Sequence, residues 1–167
     1  VIDGDGAALG APMGGSGARV LCVGNPHNPG GGFWGRDELA ALVGVAARNG
    51  VVVVADEIHA ELALPGFATT PFASLSEATA ARTITCTSPS KAFNLAGLQV
   101  ANILIPDPGL RPRLRLELDS AGHSQPNPPG LVASRAAHEG RAPRLDRLRE
   151  HIAPARRPRR HPLAATP

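Results

Sequence analysis

Lys91 is the only lysine in a chain of 167 residues that carries 16 arginines. A genome biased toward Arg, Ala, Gly and Pro codons would explain the ratio, but a lysine that persists under that bias is one that arginine does not replace. Arginine stays protonated, whereas lysine can lose its proton and condense with a carbonyl. Lys91 closes the tetrapeptide Ser88–Lys91 (SPSK), so two hydroxyls, Ser88 and Ser90, stand beside the amine. A second cluster, Asp56–His59 (DEIH), offers two carboxylates and an imidazole. A third, Asn25–Gly32 (NPHNPGGG), holds the amide of Asn28 in a rigid Asn-Pro turn. The bland alternatives are a solvated lysine, a turn acid at Asp56, a turn-forming Asn28, helix-capping serines and a His59 that only packs. Glu57 reads as structural.

Each cluster follows an apolar run. Val20–Val23 reads as a buried strand, Val51–Ala55 (VVVVA) as a strand buried on both faces, and Thr83–Thr87 (TITCT) as another. Between the first two, Asp37–Arg48 places Leu39, Leu42, Val43 and Ala46 on one helical face, with Asp37 and Glu38 suiting the dipole of its first turn. Asn49-Gly50 ends that helix. Strand, helix and strand in this order make a βαβ unit and imply a parallel sheet. Val100–Ile105 predicts a further strand, and Leu110–Ser120, Leu131–Glu139 and Leu145–Ile152 predict helices. The expected fold is therefore α/β: a three-layer α/β/α arrangement with a mostly parallel sheet.

In open α/β sheets, ligands bind beyond the carboxyl ends of the strands. If these strands are parallel and adjacent, the three clusters converge there. Their contents fit pyridoxal phosphate: Lys91 for the aldehyde, Asp56 for the ring nitrogen, and hydroxyl and amide donors for the phosphate and ring. Asp56 at a buried strand end would need such a cationic partner.

At these residues the sequence resembles the fold-type I pyridoxal-phosphate enzymes of the class I/II aminotransferase superfamily, and within it the MalY/PatB group of cystathionine β-lyases. The matching stretches are VLCVGNPHNPGGGFWGRDEL, VVVVADEIHAEL and TSPSKAFNLAGLQVANILIP, with HEGRAPRLDRLREHI matching more weakly. The resemblance implies that Lys91 is the catalytic lysine that holds the cofactor. It implies that Asp56 pairs with the pyridine nitrogen and that Asn28 bonds the ring hydroxyl and approaches the substrate carboxylate. Ser88 and Ser90 would lie by the phosphate. His59 stands where aminotransferases have a tyrosine, a feature of the lyase group. Gln99 stands where aminotransferases usually carry a phosphate-binding arginine, and Gly30 where threonine is usual. The implied activity is carbon–sulfur β-elimination on cystathionine or a related cysteine S-conjugate, giving pyruvate, ammonia and a thiol. An aminotransferase is the alternative, and the implied partners are a small amino-acid substrate and a second copy in a homodimer.

The family is more than twice this length, so the expectation is an incomplete large domain. Residues 1–19 read as an irregular leading segment, 20–152 as a partial cofactor-binding large domain, and 153–167 as a disordered Pro/Arg-rich tail produced by a premature end or frame change. An inactive remnant is thus a further reading. Composition narrows the rest. The chain is 43% hydrophobic, enough for a core, and 3% aromatic, too little for an RNA-stacking surface. Residues 1–110 carry net −4 and residues 111–167 net +7, but the basic end reads as incidental rather than as a nucleic-acid patch. DEIH also fits a DExH box, yet no Walker A loop is present and the other two clusters would be left without a role. No transmembrane run or secretory signal is found, and Cys22 and Cys86 read as buried free thiols of a cytoplasmic protein. The histidines lack metal-ligand spacing, so no metal is expected.

Overall fold

The computed structural model describes residues 17–155. Four strands form one sheet in the order β1 (Val20–Gly24), β2 (Val52–Asp56), β3 (Thr83–Thr87), β4 (Asn102–Leu104). The first three are parallel, and β4 runs antiparallel to β3. The expected mostly parallel α/β sheet is therefore present. The run expected as a strand over 100–105 pairs only through its three central residues.

Helix α1 (Arg36–Arg48) connects β1 to β2. Its start is fixed by Glu38, whose carboxylate accepts the Gly35 N–H at 2.6 Å, and its end by Asn49, whose side chain donates to the Val45 carbonyl. The buried face is Leu39, Leu42, Val45 and Ala46; Val43, expected on that face, is half-buried. These side chains meet Val23, Val51, Val53, Ala55 and Phe72 in the main core, with Leu21 and Trp34 against its edge. Each of the larger members stabilises the fold by about 1.5–3 kcal/mol through burial. Leu42→Ala would cost about 2–5 kcal/mol.

That core covers one face of the sheet. The strand register puts Val20, Cys22, Val52, Val54, Ile84, Cys86 and Ile103 together on the other. Here Val52, Val54 and Ile84 are half-buried, while Val20 is 52% and Ile103 41% exposed. The expectation of a β2 buried on both faces is therefore corrected. Val53 and Ala55 are buried, but among the described residues no comparable core cluster covers their neighbours on the opposite side. The same open face corrects the reading of two buried thiols. Cys22 is exposed and Cys86 half-buried.

After β2 the chain forms a short 3-10 turn at Ala60–Leu62, another at Phe72–Ser74, and helix α2 (Glu77–Ala80), capped by the Ser76 hydroxyl. Helices α3 (Leu110–Ser120), α4 (Pro128–Glu139) and α5 (Arg141–Ile152) follow β4. A second cluster joins Ala92 and Phe93 of the turn after β3 to Leu145 of α5, with Leu62, Leu95 and Leu148 around it. Gly130 of α4 lies so close to the Leu98–Val100 segment that a β-carbon there would collide with Val100 Cγ2 and meet the Leu98 carbonyl oxygen at 3.0 Å. Residues 153–155 continue α5 as a 3-10 turn. The rest of the expected disordered tail, and residues 1–16 of the leading segment, lie outside the described residues.

Candidate active site

The three clusters hang from the same edge of the sheet because the register holds the strand ends level. Gly24 pairs with Asp56, and Asp56 with Cys86. The ladder then runs one step further: the Asn25 N–H donates to the Asp56 carbonyl and the Glu57 N–H to the Cys86 carbonyl, both at 2.9 Å. Asn28, Asp56, His59, Ser88, Ser90 and Lys91 all follow from this edge within a few residues.

The turn after β1 closes on itself. The His27 N–H donates to the Gly32 carbonyl at 2.7 Å, and the Gly31 N–H donates back to the His27 carbonyl at 2.8 Å. Both Asn-Pro bonds in it are cis. Asn28 at its tip is exposed. Asn25, by contrast, is 2% exposed and ties the turn down. Its Nδ2 donates to the Thr70 carbonyl and its Oδ1 accepts the Trp34 N–H, each at 3.1 Å. By residue type Asn25 reads as turn punctuation; its place at the first residue past a strand is the signal of its tying role.

Asp56 is exposed at the end of β2, and its Oδ1 accepts the Ile58 N–H at 3.2 Å. The expected buried strand end is thus an open one, because Asp56 projects to the uncovered face. Its neighbour Glu57 turns inward, 7% exposed, and its carboxylate accepts the Phe72 N–H at 2.8 Å. Burial pushes the Glu57 carboxyl above the usual carboxylate range, and the Phe72 hydrogen bond pulls it partly back. His59 is half-buried beside the first 3-10 turn.

Past β3, Ser88 is 8% exposed. Its hydroxyl donates to the Val100 carbonyl at 2.5 Å and lies 2.7 Å from the Ser90 hydroxyl, while the Ser90 N–H donates to Ser88 Oγ at 3.1 Å. Ser88 therefore braces the turn; Ser90, half-buried, keeps more of its surface open. Lys91 is exposed between this brace and the buried pair Ala92 and Phe93, each 3% exposed. The amine is thus presented from an anchored backbone. Asn94 (φ 57°) and Gln99 (φ 51°) both adopt the left-handed region on the way to β4. Gln99 caps the turn at Ala96–Leu98 and is exposed.

The donor set suits a flat, anionic aldehyde: one accessible amine, one accessible carboxylate, an exposed amide, and a hydroxyl and N–H groups in the turn between them. Among the described residues no group of three or more His, Cys, Asp or Glu could hold a metal ion, and no helix is long and apolar enough to cross a membrane.

Fold and site together define an α/β sheet domain whose carboxyl edge carries the candidate cofactor-binding residues. The chain belongs to the aminotransferase class I and II family, whose profile matches residues 6–160. It is 44% identical over 133 residues to cystathionine beta-lyase PatB of Bacillus subtilis, covering 80% of this chain and 34% of that one. It is 31% identical over 135 residues to the protein MalY of Escherichia coli, covering 80% and 34%. Among solved structures, cystalysin from Treponema denticola, which contains a pyridoxal 5'-phosphate cofactor, superposes with a TM-score of 0.85 at 32% identity over 90% of this chain and 39% of its own. The fold is that of the fold-type I pyridoxal-phosphate enzymes, and the family is pyridoxal-phosphate dependent. The chain spans about a third of the length of these curated relatives. DEIH lies within the stretch that this family's profile matches.

Proposed function

We propose that residues 20–152 form the cofactor-binding part of a pyridoxal-phosphate-dependent carbon–sulfur β-lyase acting on a cysteine S-conjugate. The observation that supports this reading is the level strand edge, Gly24 against Asp56 against Cys86, with Asn28, Asp56 and Lys91 at or just past it in the sequence. When bound, the cofactor supplies an aldehyde for an amine and a protonated ring that accepts electron density from the carbon bearing the amino group. Lys91 would hold the aldehyde end and, once displaced by the substrate's amine, take the proton from its Cα. The Asp56 carboxylate would keep the ring nitrogen protonated. Asn28 would bond the ring hydroxyl. Ser90 and the N–H groups of its turn would face the phosphate, with Ser88 bracing them. His59 and Gln99, at positions where aminotransferases carry tyrosine and arginine, favour the lyase over the transaminase. A small amino-acid substrate, a homodimer and a cytoplasmic setting belong to the same reading.

The test is capture of the cofactor. The full chain is mixed with pyridoxal phosphate, reduced with borohydride and mapped by mass spectrometry. The expected pyridoxyl adduct is on Lys91, and Lys91→Ala removes it. An adduct confined to another amine overturns the assignment. Pyruvate and thiol released without added keto acid distinguish the lyase from an aminotransferase.

A further inference from the structure

A cavity of about 290 Å³ opens between the turn after β1 and the segment after β2. Its walls include His27, Phe33, His59, Leu62, Leu64 and Phe67. We propose that it is the subsite for the sulfur-borne substituent of the conjugate, and that it takes a neutral alkyl or aryl group in preference to a charged one. The inference rests on the cofactor reading above.

Asn28 and His59 belong to the proposed cofactor site, and both also line this cavity. A substrate held at the first by its amino-acid end therefore has this wall within reach of its other end. Much of the wall is apolar, with Phe33, Leu62, Leu64 and Phe67 among its lining residues. The rings of Phe33 and Phe67 stand edge to face, centroids 5.6 Å apart at 72°. They are 39% and 41% exposed, so they present a ready apolar platform. Among the described lining residues none is Asp, Glu, Lys or Arg. The far end of cystathionine carries an ammonium and a carboxylate. Seating it here strips water from two charges and returns no counter-charge, whereas a benzyl or alkyl group loses nothing by the same transfer. Of the polar groups that remain, the His27 imidazole has no part in the proposed cofactor site and can meet a sulfur atom as a weak hydrogen-bond partner.

Gly30 shapes the same wall. A β-carbon built on it would lie 2.6 Å from His27 Nδ1, and its backbone is not among those with positive φ. Its bare Cα therefore serves space rather than conformation. The His27 ring occupies the volume that a side chain at position 30 would take. A threonine there would force His27 aside and reshape the cavity.

The test uses the full chain with pyridoxal phosphate and three probes: benzyl methyl sulfide, S-benzyl-L-cysteine and L-cystathionine. Saturation-transfer NMR reads contact with the benzyl protons, titration calorimetry reads affinity, and borohydride labelling of Lys91 is run in parallel. Saturation transfer to both benzyl probes is expected, with S-benzyl-L-cysteine binding at least about tenfold more tightly than L-cystathionine. Phe67→Asp, at an exposed edge, and Gly30→Thr, which displaces His27, should each weaken the benzyl probes while Lys91 labelling and the melting temperature hold. No saturation transfer alongside normal Lys91 labelling overturns the subsite and leaves the cofactor reading intact. Equal affinity for L-cystathionine and S-benzyl-L-cysteine overturns the preference. Benzyl binding without any Lys91 labelling overturns the assignment of this cavity to the lyase substrate.

Discussion

The side-chain amide of Asn25 joins two loops that are far apart in sequence: it donates to the Thr70 carbonyl and accepts the Trp34 N–H, both at 3.1 Å. The turn bearing Asn28 and the segment that runs from His59 to Phe72 are thereby held as one unit. Asn25→Ala removes both bonds and leaves two backbone groups to find other partners at a site only 2% exposed. The cost should be about 2–4 kcal/mol. Thermal unfolding reads the loss, and amide exchange at Trp34 should accelerate beyond that of the α1 amides. An unchanged Trp34 exchange rate would show that the side chain is not the tie.

Glu57 gives the fold a pH dependence of stated sign. Burial raises its folded-state pKa above the ordinary value of 4.5. A carboxyl with a raised folded pKa binds its proton more tightly in the folded state. Its contribution is therefore fully present below pH 4.5 and is lost as pH rises through the raised value. Glu57→Gln keeps an oxygen for the Phe72 N–H and cannot ionise. It should remove this loss, so the difference in melting temperature between variant and wild type should grow in the variant's favour as pH rises across that window. A difference that does not vary with pH would mean the carboxyl is not titrating in the fold.

The open sheet face distinguishes the two thiols. Cys22 on β1 is exposed, whereas Cys86 on β3 is half-buried. Burial chiefly, then the negative charge of Asp56, with Cys22 and Glu57 adding to it, pushes the Cys86 thiol above its ordinary value of 9.0. Less thiolate is then present at any pH below that value, so alkylation is slower. Iodoacetamide at pH 8 should modify Cys22 first, and the Cys86 rate should keep rising with pH past 9.0. Peptide mapping over time reads both. Equal rates at pH 8 would contradict the difference in exposure.

The β-strand run Thr83–Thr87 and the helix Leu110–Ser120 have the bounds that periodicity gives them, because each is delimited by its own punctuation. That SPSK, DEIH and NPHNPGGG leave the same edge of the sheet is legible for the same reason: apolar strand runs fix where a parallel sheet ends. Burial was not legible to the same degree. VVVVA looks alike whether one or both faces are covered, since the covering partner is elsewhere in the chain. The exposure of Cys22 and Asp56 is hidden in the sequence for the same reason. The roles of Asn25 and Ser88 were hidden because their partners, Thr70 and Val100, are remote in sequence and are fixed only by tertiary structure. The space that Gly30 leaves for His27 is a contact within one turn, but it depends on a side-chain direction that residue type does not state.

Ser88 and Ser90 are two hydroxyls of one turn with different environments, so their substitutions should separate. Ser88 is 8% exposed, and its hydroxyl serves the Val100 carbonyl and the Ser90 N–H. Ser88→Ala leaves both without that partner, and the cost should be about 1–3 kcal/mol in unfolding free energy. The turn would loosen on the side where Lys91 departs from β3, so cofactor capture should fall together with stability. Ser90 is half-buried, and its side-chain contact is to a Ser88 hydroxyl that retains Val100 without it. Ser90→Ala should cost less than about 1 kcal/mol of stability. In the proposed site, however, it removes a hydroxyl facing the phosphate, so pyridoxal phosphate should bind more weakly while pyridoxal, which lacks the phosphate, is unaffected. Titrating both aldehydes against wild type and the two variants, with melting temperatures alongside, reads the separation. If Ser90→Ala weakens both aldehydes equally, Ser90 does not face the phosphate, and the hydroxyl belongs to the turn alone.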